Sequence, residues 1–113
     1  MAKYERRLTG DFDEVLRLCD DAVMRGSISA SLEDGSDFRG ANTRVVTRVY
    51  ERYSAIGSNR VSLSLTLVGE GRDLFLSAIT AGGSQAMFFK INTFGEHSFL
   101  STLTRVIDRY AGG

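Results

Sequence analysis

The 113-residue chain carries fourteen Lys and Arg residues and fourteen Asp and Glu residues, so its formal charge at pH 7 is zero. Such a chain has no overall field that would attract nucleic acid or an anionic membrane, and we expect neither as a partner. The single cysteine excludes an internal disulfide, and no apolar run approaches the length of a membrane span, about 20 residues. Charges stand where a signal peptide would need apolar residues, so we expect a cytoplasmic protein. The length of the chain fits one domain, over residues 1–113.

The first predicted elements are a short strand over residues 3–8 and a helix over residues 11–25. Asp11 is the expected N-cap, because Glu14 three residues later completes a capping box. Gly26 is the expected end of the helix. Apolar residues at three- and four-residue spacing form one buried stripe: Phe12, Val15, Leu16, Cys19, Ala22 and Val23.

The clearest strand pattern covers residues 60–69. Its apolar side chains alternate with hydroxyls, so four apolar groups point to one face and three hydroxyls to the other. This alternation is typical of an antiparallel strand with one buried face. The apolar members are Val61, Leu63, Leu65 and Leu67, and the polar members are Ser62, Ser64 and Thr66.

Four more strands are predicted around this one, at residues 27–33, 43–53, 73–81 and 86–92. The connections at residues 34–42, 54–59, 69–72 and 82–85 are rich in Gly, Asn, Asp and Ser and short enough for hairpins. Together these segments predict an antiparallel meander.

A second helix is predicted over residues 94–110. Thr93 and Glu96 form a capping box before it. Its length of about 25 Å matches the width of a five-strand sheet, so we expect it to lie across the sheet beside the first helix. The predicted fold is α+β, a two-layer structure with both helices on one face of an antiparallel meander, in the order β-α-β-β-β-β-β-α.

Three stretches carry a family resemblance: SISASLEDGSDF, RVYERYSAIGSNRVSLSLTL and AITAGGSQAMFFKINTFGE. They resemble a family of small bacterial domains of unknown function, over nearly the whole chain. The element order is also similar to the TATA-binding-protein-like and helix-grip folds, some of which hold an apolar ligand between the last helix and the sheet. This second likeness is topological and assigns no function.

The sequence predicts a solid core between sheet and helices, since these side chains are large enough to fill the space themselves. The side chains expected to point inward are Ile28, Leu32, Val61, Leu63, Leu65, Leu67, Leu74, Leu76, Met87, Phe89 and Ile91.

The other sheet face is predicted to carry small hydroxyls and some large apolar groups. Such a surface has little charge to repel a second copy, and an apolar patch of this kind usually marks an interface. A homodimer through this outer face is therefore predicted. The hydroxyls are Ser27, Ser29, Ser31, Ser62, Ser64, Thr66 and Ser77, and the apolar groups are Val46, Tyr50, Phe75, Ile79 and Phe88.

The candidate ligand site lies on the strand 43–53, where Arg44, Arg48 and Arg52 share one face with Tyr50. Guanidinium groups bind phosphate or carboxylate in a bidentate manner, and an aromatic ring adds a stacking surface. The alternative is a solvated strand face whose arginines pair with acidic neighbours.

A second candidate is the turn Gly82, Gly83, Ser84 and Gln85, whose backbone N–H groups suit an anion. No Lys or hydroxyl follows at Walker spacing, so a plain hairpin turn is the alternative. The acidic stretch at residues 33–37 lacks the bidentate Glu of a calcium loop, so no metal site is predicted. Cys19 is expected to be a buried apolar residue, and His97, the only histidine, a side chain in the first turn of the second helix.

These patterns predict a non-catalytic module that acts by homo-oligomeric association or partner binding, with no cofactor. The alternative is a small-molecule binder, with the ligand between helices and sheet or on the arginine-bearing face. An enzyme is not predicted, because no catalytic constellation can be assembled from the motifs.

Overall fold

The computed structural model describes residues 1–53, 60–82 and 89–112, with the backbone alone for residues 89–97. It confirms an α+β fold with an antiparallel sheet and two helices. The described elements are β1 (Ala2–Thr9), α1 (Phe12–Arg25), β2 (Ser31–Arg39), β3 (Thr43–Tyr53), β4 (Arg60–Glu70), β5 (Asp73–Gly82) and α2 (Phe89–Gly112).

The five strands form one sheet in the order β1-β5-β4-β3-β2, and all neighbours are antiparallel. β2 to β5 form the predicted meander, and β1 pairs with β5 at the far edge. β4 is the central strand. Its apolar side is buried, as the alternation predicted: Val61, Leu63, Leu65 and Leu67 are fully buried. A two-residue turn joins β4 to β5, where Gly71 has a φ of 61°, a conformation that glycine adopts without steric cost.

The first helix begins as its capping residues predicted. The Asp11 carboxylate accepts a hydrogen bond from the Glu14 N–H at 2.9 Å, and the Gly26 N–H closes the last turn on the Ala22 carbonyl. The helix therefore begins and ends at the residues that the sequence indicates. Its buried stripe is Val15, Leu16, Cys19 and Val23.

The strand predicted at residues 27–33 is wrong in position, because β2 is Ser31–Arg39 and includes most of the segment predicted as a turn. Its pairing with β3 provides the backbone hydrogen bonds that local propensity does not favour. Gly35 permits this pairing: a Cβ there would lie 2.6 Å from the Thr47 carbonyl oxygen. The predicted inward residues Ile28 and Leu32 are exposed, at 108% and 46%.

The strand predicted at residues 86–92 is wrong over residues 89–92, which begin α2; residues 86–88 lie outside the described part of the chain, as does Met87 with them. Thr93 is accordingly within the helix and not its cap. A short apolar run fits a strand or a buried helix equally well, and here it continues the periodicity of the helix that follows. The predicted 94–110 helix is thus confirmed and extended at both ends.

Both helices pack on the same face of the sheet, as predicted. The Asp20 carboxylate of α1 contacts the β3 side chain Tyr50, and the Asp108 carboxylate of α2 accepts hydrogen bonds from Tyr4 and Arg6 of β1. Burial and the bond to Asp108 raise the pKa of Tyr4 to about 12. The core between the layers includes Leu63, Leu65, Leu67, Leu76, Phe99, Leu103 and Ile107, all fully buried.

Candidate functional site

The structure brings Arg44, Arg48, Tyr50 and Arg52 together on one face of β3, as the sequence predicts. That face is the one covered by the helices, since Tyr50 is fully buried and pairs with Leu63 of β4 across the sheet. The expected position of Tyr50 and Val46 on the outer face is therefore wrong. Both faces of β3 carry apolar side chains, so alternation within the strand does not reveal which face is buried.

Arg44 joins three elements. Its Nη1 donates to Asp13 Oδ1 of α1 at 2.6 Å, and its Nε and Nη2 donate to the two oxygens of Asp37 of β2 at 3.2 and 2.9 Å. Its guanidinium carbon also lies 4.5 Å from the centre of the Phe12 ring. Hydrogen bonds from this guanidinium hold the pKa of both carboxyl groups below their usual range.

Arg48 and Tyr50 share one carboxylate. Asp20 Oδ1 accepts a hydrogen bond from Arg48 Nη1 at 3.1 Å and another from the Tyr50 hydroxyl at 2.7 Å. Burial, together with the hydrogen bond to Asp20, raises the pKa of Tyr50. Tyr50 is therefore a neutral donor that binds α1 to the sheet, and not an exposed stacking surface.

The third arginine packs on the other helix. The guanidinium carbon of Arg52 lies 4.6 Å from the centre of the Phe99 ring of α2, and burial lowers the pKa of Arg52. The arginines of β3 thus attach the sheet to both helices, through carboxylates on α1 and an aromatic ring on α2.

An open cleft of about 410 Å³ lies between α1 and β3. It is lined by Asp13, Leu16, Arg17, Asp20 and Arg48. Cys19 on the neighbouring turn of α1 is fully buried, and burial raises the pKa of its thiol to about 12, which makes it a poor nucleophile. Over the described residues no three His, Cys, Asp or Glu side chains are grouped to hold a metal ion.

The outer face of the sheet, on which neither helix packs, has a regular cross-strand pattern. The register aligns an apolar row across four strands, Phe75–Val68–Val45–Phe38, which ends at Arg7 of β1. Beside it the register aligns a row of hydroxyls: Ser77, Thr66, Thr47 and Ser36. The next row is Lys3, Ile79, Ser64, Val49 and Asp34.

Two features of this outer face stand out at opposite edges. Phe38 on β2 is 61% exposed although its row is otherwise only partly exposed. At the other end of the same row, an open depression of about 430 Å³ is lined by residues of β1, β4 and β5 that include Arg7, Val68 and Phe75. The outer face therefore carries an apolar projection at one edge and a recess at the other.

The model of a family of unknown function, DUF6054, matches residues 1–111 of the chain. The chain belongs to this family. No curated protein matches this chain. Among solved structures, the crystal structure of TTHA0849 from Thermus thermophilus is similar at 14% sequence identity and a TM-score of 0.31, covering 96% of this chain and 97% of that one.

The described residues include part of the predicted anion turn and part of the predicted outer face. Gly82 is the last residue of β5, while Gly83, Ser84 and Gln85 of the predicted anion turn lie outside the described residues, and so does the side chain of His97. The structure places Phe75 and Ile79 on the outer face of the DUF6054 domain as predicted; Phe88 is not described. Within the described ranges, no helix is long and apolar enough to cross a membrane.

Sequence reasoning missed the three carboxylates that bind the arginines, Asp13, Asp20 and Asp37. The available signal was their spacing: Asp13 and Asp20 are seven residues apart and so lie on one side of α1, while Arg44 and Arg48 are four residues apart and share one face of β3. It also missed Val45 and Phe38 on the outer face. Val45 was missed because alternation does not show which face of β3 is buried, and Phe38 because it falls in the segment predicted as a turn.

Proposed function

We propose that this DUF6054 domain is a non-catalytic module that acts by association with a second copy of itself through the outer face. The observation that carries the proposal is the apolar row Phe75–Val68–Val45–Phe38, which crosses four strands on the sheet face that neither helix covers. Rows of apolar side chains beside neutral hydroxyls bury well against a similar surface, because little polar desolvation opposes contact.

The outer face has a suitable size. Five strands at a spacing of about 4.8 Å are about 24 Å wide, and strands of 8 to 11 residues are about 30 Å long. The face therefore offers about 700 Å² per copy, close to what a stable specific interface buries on each partner, about 800 Å².

The ionisable groups named above support a role without catalysis. Arg44 and Arg48 are bound to carboxylates that connect elements of the fold, and Cys19 has a raised pKa in a buried position. Groups that serve structure in this way are not free to exchange protons with a substrate. We place the association in the cytoplasm, because a single buried thiol suits a reducing compartment.

The test is the mass of the native protein at high micromolar concentration, by light scattering after size exclusion and by native mass spectrometry. We expect a dimer. Val68→Lys places a charge in the middle of the apolar row and is expected to give a folded monomer, since an unpaired ammonium must be desolvated in the contact.

The matched control is Leu32→Lys, which adds the same charge at an exposed site on the helix side of β2 and is expected to stay dimeric. Circular dichroism of each variant checks that it is folded. A wild-type protein that is monomeric at high micromolar concentration would refute the proposal.

The second candidate is small-molecule binding, and the observation in its favour is the cleft between α1 and β3 with Arg17 and Arg48 in its lining. An anionic ligand there would have to compete with Asp20 for Arg48. Addition of inorganic phosphate should then raise the melting temperature of the wild type but not of Arg48→Met. Equal shifts in both proteins would exclude this cleft as the site.

A further inference from the structure

We propose that the two copies pack with their twofold axis along β4, so that Phe38 of each copy enters the recess beside Arg7 of the other. This arrangement rests on the association proposed above and adds to it a defined register. A twofold interface brings one patch against itself, so the arrangement is decided by which residues the rotation superimposes.

β4 is the middle strand of the sheet, so an axis along it gives the largest overlap of the two outer faces. Rotation about β4 places β5 over β3 of the second copy and β1 over β2. In the apolar row, Phe75 then lies over Val45, and Arg7 lies over Phe38. Facing sheets lie about 10 Å apart, which leaves room for side chains from both to interdigitate.

The shape of the outer face fits this register. Phe38, at 61% exposure, is the apolar side chain that projects at the β2 edge, and the recess beside Arg7 and Phe75 lies at the β1 edge. The rotation brings these two features together twice in each dimer. A guanidinium over a phenyl ring adds a favourable electrostatic contact.

The charges agree with the shape. In the neighbouring row the same rotation places Lys3 over Asp34, both of which are exposed at opposite edges of the sheet. Among the described residues of the single chain, Lys3 lies 3.9 Å from Glu5 of its own strand, and the Asp34 carboxylate accepts a hydrogen bond from the Gly35 N–H at 2.8 Å. Both groups therefore retain capacity for a partner across the interface.

The other twofold axis in the plane of the sheet runs across the strands. If this axis passes through the hydroxyl row, it places Arg7 over Lys3 and Phe38 over Asp34 of the second copy. Two cations then lie together, and a carboxylate lies against an aromatic face. Like charges opposed across an interface disfavour a register, and charge pairs favour it. The axis along β4 is the one that both shape and charge support.

An axis along β4 brings like charges near each other at both ends of this strand, Arg60 at one end and Glu70 at the other, and the acidic end provides a test. Glu70 lies at the end of β4 on the outer face, and an axis along β4 brings it close to its own copy. Replacement of this carboxylate by a neutral amide removes the repulsion. Glu70→Gln is therefore expected to tighten the dimer about threefold.

The main experiment measures the dimer dissociation constant of charge-reversed proteins by native mass spectrometry over a dilution series. Lys3→Glu and Asp34→Lys are each expected to weaken the dimer about tenfold, because each removes two symmetric contacts and creates two repulsions. The double variant restores opposite charges and is expected to return within about threefold of the wild type. The control is Arg25→Glu at the exposed end of α1, which should change nothing.

A second measurement uses a short bis-maleimide linker, to which the buried Cys19 is inaccessible. Lys3→Cys alone should not cross-link to itself, because the two copies of residue 3 lie about 19 Å apart across four strand spacings. A mixture of Lys3→Cys and Asp34→Cys should cross-link readily. A dimer whose dissociation constant is unchanged by both charge reversals would overturn the register but not the association, and so would a dimer in which Lys3→Cys cross-links to itself. A monomeric wild type would overturn both.

Discussion

Asp20 accepts hydrogen bonds from Tyr50 and Arg48 with a single oxygen, and this small group connects α1 to the sheet. Its members are a carboxylate, a phenol and a guanidinium, the same chemistry that a ligand site would use. Their partners lie within the chain, and Tyr50 is fully buried. At the scale of single residues, the arginine face therefore stabilises the fold.

Tyr50→Phe removes one buried hydrogen bond while keeping the ring and the Arg48–Asp20 contact. We expect a loss of about 1 kcal/mol in the free energy of unfolding, measured by urea denaturation. Tyr53→Phe, at an exposed position, is the matched control and should change stability by less than about 0.5 kcal/mol. An equal loss in both variants would contradict a structural role for the Tyr50 hydroxyl.

The ion pairs of Arg44 with Asp13 and Asp37 should make the stability of the fold depend on pH. Because it lowers the pKa of Asp13 and Asp37 in the folded state, its contribution is fully present above the unfolded value, about 3.9, and is lost as pH falls through the lower folded values. The gap in urea midpoint between wild type and Arg44→Met should therefore be constant near neutrality and shrink below about pH 4.

The control for this pH series is Arg39→Met, since Arg39 is exposed and lies 3.9 Å from Asp37. Its midpoint should follow the wild type at every pH, because exposed ion pairs at that distance contribute little. A gap for Arg44→Met that persists unchanged into strong acid would show that the Arg44 contribution is packing on Phe12 and not its ion pairs.

β2 shows how an element arises where local propensity does not favour one. Its residues include Asp34, Gly35 and Asp37, which are typical of turns, and nearly all of it is exposed. The free edge of β3 supplies its backbone partners, and Arg44 binds Asp37. Charged side chains at such an edge also discourage pairing with further strands.

Gly35→Ala tests this element, because the new methyl group would lie 2.6 Å from the Thr47 carbonyl oxygen. We expect loss of amide protection against hydrogen exchange in β2, with β4 and β5 still protected. Gly40→Ala is the control, since a Cβ there meets the Phe38 ring at an ordinary 3.4 Å. Unchanged protection of β2 in Gly35→Ala would contradict the close pairing of β2 with β3.

The helices and the central strand could be predicted because each carries its own periodic pattern. Asp11 and Gly26 mark the two ends of α1, and the alternation of side chains in β4 indicates which side of that strand is buried. β2 could not be predicted, because its stability depends on a neighbouring strand. The start of α2 could not be predicted either, because a short apolar run fits a strand and a buried helix equally well.

The described residues of the molecule form a two-layer structure, in which both helices cover one face of the sheet and neither helix covers the other. The covered face holds the core and the arginines, while the free face holds the apolar row and its hydroxyl neighbours. A third layer is absent from the described chain, and the proposed second copy supplies an equivalent one.

Association on this face predicts that thermal stability depends on protein concentration. If the native state is a dimer, mass action should raise the melting temperature by about 3 °C for each tenfold increase in concentration, as followed by circular dichroism. Val68→Lys should melt at a temperature that does not vary with concentration. A wild-type melting temperature that is independent of concentration would contradict a native dimer.

The sequence by itself determined the class of fold, the two helices, the central strand and the presence of three arginines with Tyr50 on one side of β3. It did so because periodic patterns and capping residues act within a few positions along the chain. Only the tertiary structure decided which side of β3 meets the helices, and so which apolar residues form the outer face. That choice depends on carboxylates of α1 and on the edge pairing of β2, which are distant in sequence and become neighbours only when the layers pack.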